Sequence, residues 1–135
     1  ECLDSVVEWA STWQLKLSPS KCIVLSIGKV KIANAYKIAG INLPLVDHTN
    51  DLGITMDNHL NFNLHINNMC IKAKQRAALI LRCFYTRNKD ILTKAFTVYV
   101  RPLLEYCSSV WSPSLLSHIN KIEAVEKFFT KRIEA

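Results

Sequence analysis

Contact with a polyanion is the chemistry these side chains offer first. Within residues 70–101 stand eight basic residues, Lys72, Lys74, Arg76, Arg82, Arg87, Lys89, Lys94 and Arg101, opposed only by Asp90. Such a run is either a solvated helix face kept soluble by its charges or a surface for a polyanion, of which nucleic acid is the commonest. Trp9, Trp13 and Trp111 could stack on bases, although the helical spacing of the first two favours packing in a core. Two-metal phosphoryl transfer needs acidic side chains that share divalent ions. No two acidic residues are adjacent in the chain, and Asp47, Asp51 and Asp57 fall in a turn-rich region, where aspartate ordinarily forms turns or caps. His48, His59, His65 and His118 show no metal-ligand spacing, and neither a G-x-x-x-x-G-K loop nor a G-x-S-x-G elbow is present. These residues predict neither a metal site nor a complete active site.

The elements that must position the basic run follow from periodicity. Phe62, Ile66, Met69, Ala73, Ala77, Ile80 and Phe84 advance by three or four residues, which predicts one long amphipathic helix with Asn58 or Asn61 as its cap. A second helix is expected over residues 89–100, kinked or ended by Arg101-Pro102, because proline lacks an N–H donor. Ser112-Pro113 reads as an N-cap with proline at the first helical position, opening a last helix whose stripe is Leu115, Ile119, Ile122, Val125, Phe129 and Ile133. Upstream, Leu3, Val6, Val7, Ala10 and Trp13 predict a first helix. Residues 14–17 and 22–27 then read as strand, turn, strand, and shorter extended pieces follow at 36–39, 42–46 and 52–56. Connections this short predict antiparallel pairing. The expected fold class is α+β, a small antiparallel strand region over residues 1–60 followed by an α-helical bundle over residues 61–135.

Composition narrows the function classes. Half of the 135 residues are hydrophobic, and only three glycines and four prolines are present, so the chain is a folded unit or two lobes rather than a disordered one. Five scattered cysteines without a C-x-x-C pair suggest neither a disulfide framework nor a zinc knuckle, and fit an intracellular setting. No apolar run approaches the roughly 18 residues of a membrane span, so no membrane partner is expected. The first residue is Glu1 rather than methionine, inside what reads as a helix, and a fragment of a longer protein is the expectation. Residues 1–60 hold five Lys/Arg against six Asp/Glu, whereas residues 61–135 hold twelve against five, so the whole net charge of +6 arises in the helical part.

Three blocks carry a resemblance. Trp9-Ala10-Ser11-Thr12-Trp13-Gln14-Leu15-Lys16-Leu17-Ser18-Pro19-Ser20-Lys21-Cys22 resembles the stretch after the catalytic Asp-Asp strand in reverse transcriptases of non-LTR retrotransposons, the LINE and jockey-like group, with Ser18 in place of the usual asparagine of the turn. Asn50-Asp51-Leu52-Gly53-Ile54-Thr55-Met56-Asp57, with Leu60-Asn61-Phe62 and His65-Ile66 beyond, is similar to that family's Leu-Gly-Val hairpin and the helix start behind it. Tyr99-Val100-Arg101-Pro102-Leu103-Leu104-Glu105-Tyr106-Cys107-Ser108-Ser109-Val110-Trp111 is similar to a block of the helical region beyond the palm. The resemblance implies the end of the palm over residues 1–60 and a thumb over residues 61–135, with the two catalytic aspartates just before Glu1 and the third farther upstream. It implies for Lys21 the place of the motif D lysine, a proton donor to departing pyrophosphate, and for Leu52-Gly53 that of the primer grip. Apart from the resemblance, Lys21 reads as an exposed turn lysine and Gly53 as a turn glycine.

The functional expectation is a fragment of an RNA-directed DNA polymerase that holds RNA or DNA primer–template through Lys72, Lys74, Arg76, Arg82, Arg87 and Lys89. Its other expected partner is the remainder of the palm and fingers, in the nucleus and cytoplasm. The fragment alone is expected to be inactive and to bind no cofactor, whereas the parent enzyme is expected to use Mg²⁺. The alternatives are a non-catalytic nucleic-acid-binding or structural protein derived from a decayed retroelement, and a helical module whose basic face meets an acidic protein.

Overall fold

A computed structural model describes residues 2–28, 35–86 and 88–133. Arg87, Lys29 and Lys31 lie outside the described residues. The chain divides into two compact units, Glu1–Asn61 and Phe62–Ala135.

In the first unit, helix α1 (Cys2–Thr12) buries Ala10, with Leu3 and Val7 half-buried on the same side. It ends in a Schellman motif. Leu15 N–H donates to the Ala10 carbonyl at 2.8 Å and Gln14 N–H to Ser11 at 3.1 Å, with Gln14 left-handed at φ 55°. That cap overturns the expected strand at residues 14–17, because Gln14 has turned out of extended backbone and Leu15 has spent its N–H on the helix. A 3-10 turn, Pro19–Lys21, follows, and then β1 (Val24–Leu25). Next come β2 (Lys37–Ile38), β3 (Ile41–Asn42) and β4 (Leu45–Val46). The β2–β3 hairpin turns on Ala39-Gly40, and β1 pairs with β4 in parallel, Val24 opposite Leu45. The β2–β3 pair is antiparallel as expected, and the β1–β4 pair corrects that expectation: β1 pairs not with its neighbour in sequence but beyond the intervening hairpin, so the connection is long enough to cross over.

A second hairpin joins β5 (His48–Asp51) to β6 (Ile54–Asp57) with Asp51 opposite Ile54. Residues 52–56 were expected to be one extended piece, but Leu52-Gly53 is the two-residue turn itself. Both turn residues have positive φ, 48° and 88°, the mirror-image geometry that follows strand twist. Asn50 Oδ1 accepts from Gly53 N–H at 3.1 Å, and Asn50 Nδ2 donates to Thr55 Oγ1 at 3.2 Å.

The second unit is helical. Helix α2 (Asn63–Cys83) buries His65, Ile66, Met69, Cys70, Ala73, Ala77 and Ile80, most of the expected stripe. Neither Asn58 nor Asn61 caps it. The residue before the helix is Phe62, with no side-chain cap bond, and Asn61 instead donates to the Asp57 carboxylate. Helix α3 (Lys89–Tyr99) is capped by Asn88, whose Oδ1 accepts from Asp90 N–H at 2.9 Å and Ile91 N–H at 3.3 Å. Pro102 stands in the first turn of the separate helix α4 (Arg101–Glu105), so the chain breaks and restarts around Val100. Helix α5 (Ser108–Trp111) begins behind Cys107, left-handed at φ 51°. Helix α6 (Leu116–Ile133) does not start at Ser112-Pro113 as expected. Ser112 ends α5 with ψ 121°, the extended backbone that a following proline imposes, and Leu115 is the residue whose carbonyl receives the first helical N–H groups.

The core of this unit lies between α2 and α6, with α3 and α4 against α2. Val125 and Phe129 of α6 are buried, and the Phe129 ring lies 4.7 Å from that of Phe96 on α3. Ala73 and Ala77 have no exposed surface, so the middle of α2 brings its backbone close to its neighbours. Lys121 Nζ donates to Asn67 Oδ1 at 2.7 Å, tying α6 to α2 at the rim.

The tryptophans reverse the expectation. Trp9 and Trp13 are 57% and 65% exposed, whereas Trp111 is 3% exposed, its Nε1 donating to the Tyr106 carbonyl at 2.7 Å and its ring 5.5 Å from His65. Ala10 is the residue of α1 that turns inward, which leaves Trp9 on a flanking position, while Trp13 stands just past the helix end. No described helix is long and apolar enough to cross a membrane.

Candidate nucleic-acid interface

Helix geometry sorts the basic residues of α2. At about 100° per residue, Lys72 and Arg76 lie about 40° apart, Arg82 about 80° from Lys72 on its other side, and Lys74 about 160° from Lys72. All four are exposed. Lys72 and Arg76 therefore flank the buried stripe on one side, Lys74 flanks it on the other, and Arg82 faces away from it. Lys89, exposed, opens α3 next to the Asn88 cap. Arg87 lies outside the described residues. Arg101 Nε donates to Glu105 Oε1 at 2.6 Å, a hydrogen bond that holds the guanidinium pKa above its ordinary value and neutralises that end of the run.

The charges reach inward as well. Burial pushes the His65 imidazole below its ordinary pKa, and the positive charge of Lys72 adds to the effect. Burial pushes the Cys70 thiol up, opposed by Lys74 and Lys121. Both groups are therefore neutral near pH 7 and belong to the core rather than to a reactive site.

Arg82 has company that the sequence did not single out. It lines a groove of about 570 Å³ with Tyr85 and Arg132. The Arg132 guanidinium lies 4.3 Å above the Phe128 ring, and Tyr85 is fully exposed. The available sequence signal was positional: Arg132 closes the last turn of α6, and Tyr85 follows the end of α2.

In the first unit, Lys21 is exposed as the last residue of the 3-10 turn. Its N–H donates to the Ser18 carbonyl at 3.0 Å, and the Ser18 and Ser20 hydroxyls meet at 3.1 Å, so backbone rather than the Ser18 hydroxyl closes the turn. Leu52 and Gly53 form the tip of the β5–β6 hairpin. Asp57 organises the segment behind that hairpin. Its carboxylate accepts from Asn61 N–H at 2.6 Å and His59 N–H at 3.0 Å, contacts that hold its pKa below the ordinary value. Among the described residues no three of His, Cys, Asp and Glu are grouped to hold a metal ion.

Comparison with known proteins gives these elements a context. The RNA-directed DNA polymerase from the mobile element jockey of Drosophila melanogaster is 30% identical over 142 residues, which cover 98% of this chain and 15% of the polymerase. The jockey polymerase of Drosophila funebris is 28% identical over the same share of both chains. An uncharacterized protein of Caenorhabditis elegans is 37% identical over 84 residues, 62% of this chain and 42% of that protein. No family model and no solved structure matches. Similarity to mobile-element polymerases at 24–30% identity over most of the chain makes it reverse-transcriptase-like. Within that class the similarity is to reverse transcriptases of non-LTR retrotransposons, jockey among them. The chain spans about 15% of the length of the polymerases it matches.

Proposed function

We propose that the chain is the part of a reverse transcriptase that holds primer and template, the end of the palm over residues 1–60 and the thumb beyond it, while carboxylates carried elsewhere in the parent enzyme bind Mg²⁺. The observation that carries this reading is the relatedness of nearly the whole chain to one segment of the jockey polymerases. The exposed cations of α2 supply the chemistry: phosphate contacts position a duplex without reading its sequence. In the parent enzyme Lys21 donates a proton to departing pyrophosphate, Leu52-Gly53 braces the primer end, and the setting is intracellular. The chain by itself adds no nucleotides.

Salt dependence tests the reading. Each phosphate contact adds about 0.9 to the slope of log affinity against log salt. Replacing Lys72 and Arg76 together by glutamine should therefore lower the slope for a primer–template duplex by up to roughly 2, and replacing Lys16 and Lys37 should lower it less. Equal changes from both pairs would mean a diffuse solubilising coat.

A second reading, a non-catalytic nucleic-acid-binding product of a decayed element, draws on the Caenorhabditis relative. There 84 residues make up 42% of the protein, whereas 142 residues make up 15% of a jockey polymerase, so the segment occurs in a far shorter protein. A reading frame encoding an aromatic-x-Asp-Asp strand immediately upstream favours the polymerase.

A further inference from the structure

The groove beside the last turns of α2 and α6 is built of two unlike parts. Leu81, Phe84 and Ile133 form an apolar side, and Arg82, Arg132 and Tyr85 supply the polar and aromatic groups. Its volume of about 570 Å³ falls within the roughly 300–1,000 Å³ of small-molecule sites. A hollow of that size has room for a base with its sugar and phosphate, but a duplex, some tens of ångströms around with its bases stacked inside, offers it nothing to insert. Among the described residues no acidic side chain lines the groove.

We infer that this groove takes one unpaired nucleotide of a single strand, its base stacked on Tyr85 and its phosphate held by Arg82 and Arg132. Three features converge on that occupant. A fully exposed tyrosine ring gains little where it stands, yet every base has a π-face that can cover it. Arg132 is braced from below by the Phe128 ring, which leaves its outward N–H edges for a phosphate. The last carbonyls of a helix lack intrahelical donors, so the end of α2 also offers acceptors for the amino groups of a base. Arginines in a last turn commonly serve only to complement the helix dipole, but that role calls for neither the exposed tyrosine nor the hollow between them.

The inference rests on the proposed nucleic-acid-holding role of the helical unit and adds an unpaired strand to the duplex. The whole 135-residue chain is titrated with a fluorescein-labelled blunt duplex and with the same duplex bearing a short 3′ overhang, in DNA and in RNA, with 2-aminopurine in the overhang as the stacking probe. The overhang should tighten binding by about 5-fold or more and change the 2-aminopurine signal. Tyr85→Ala should remove that gain and leave blunt-duplex affinity unchanged, whereas Tyr85→Phe should keep it. Arg82→Gln with Arg132→Gln should lower the salt slope for the overhang by up to roughly 1.4, at about 0.7 per single-strand contact. A gain in both the DNA and RNA arms supports a base-and-phosphate site indifferent to the sugar, and a gain in one arm supports a site selective for that sugar. Equal binding of blunt and overhang duplexes by the wild type, or equal loss of both in Tyr85→Ala, overturns the inference while leaving the duplex-holding reading intact. Binding of neither substrate overturns both.

Discussion

Leucine is a poor residue for the position that residue 52 occupies, and the cost can be put to use. Leu52 is left-handed at φ 48° in a two-residue turn, ahead of Gly53 at 88°. For a side chain with a Cβ this backbone costs about 1–2 kcal/mol, whereas asparagine tolerates it and is favoured ahead of glycine in such turns. Against that stands the burial lost on removing leucine. Full burial of leucine contributes about 1.5–3 kcal/mol, but Leu52 is 83% exposed, so only a few tenths are at stake. Leu52→Asn should therefore stabilise the β5–β6 hairpin by about 1 kcal/mol, slowing amide exchange there about fivefold where local opening controls it. Ala39, left-handed at φ 49° before Gly40 in the β2–β3 turn, provides the comparison, and Ala39→Asn should give a similar gain. The two variants should part company in a polymerase that carries this segment. If Leu52 is the apolar tip that braces a primer, Leu52→Asn slows extension while Ala39→Asn does not. Unchanged exchange in Leu52→Asn refutes the strain argument, and slower exchange with full extension refutes the bracing role.

Three further outcomes test other parts of the structure. Asp57→Ala should cost about 1 kcal/mol, the usual loss of a side chain that accepts backbone N–H groups. Because the folded carboxylate has a lowered pKa, its contribution is present above the unfolded value of about 3.9 and is lost as pH falls through the folded value; the gap between wild type and variant in urea titrations should close on acidification. His65 has a lowered folded pKa, so the unfolded chain binds its proton first as pH drops below about 6.5. Stability should fall from there by at most about 1.4 kcal/mol per pH unit, and a His65→Gln variant that keeps the whole pH dependence would refute this assignment. In a full-length parent enzyme, Lys21→Ala should slow single-turnover incorporation while primer–template affinity holds; a loss confined to binding would assign Lys21 to phosphate contact instead.

Helices α2, α3 and α6 were legible because each carries an apolar period, whereas their starts were not: the Asn88 cap of α3 went unread, and α6 begins at Leu116 rather than at Ser112-Pro113. The first unit resisted for a physical reason. Its strands are two to four residues long, too short for alternation to accumulate, and its turns use Gln14, Ala39, Leu52 and Leu60 at positive φ, where sequence rules look for glycine or asparagine. The tryptophans show the limit of periodicity. Trp9 and Trp13 are four residues apart, a helical spacing, but Ala10 beside Trp9 is the residue that turns inward, and spacing alone does not fix that choice. The short helix that buries Trp111 shows no such period, and what secures the ring is a hydrogen bond to Tyr106 across the turn at Cys107 and the neighbouring His65 of α2.

Charge density along a chain is not charge density in space. The eight cations of residues 70–101 look uniform in sequence, yet the fold gives them different tasks. Arg101 is paired with Glu105, and Lys74 lies across the buried stripe from Lys72. Lys89 and Lys94 belong to α3, and on α2 there is left the arc from Lys72 and Arg76 to Arg82, which at about 1.5 Å per residue runs some 15 Å along the helix. One end of that arc suits the phosphates of a paired backbone. At the other end Arg82 adjoins an aromatic ring and a second arginine, a combination that suits a strand whose bases are free. On the proposed reading a single helix follows nucleic acid across the point where pairing stops, and a mixed substrate with a duplex and an overhang should then be held more tightly than either part alone.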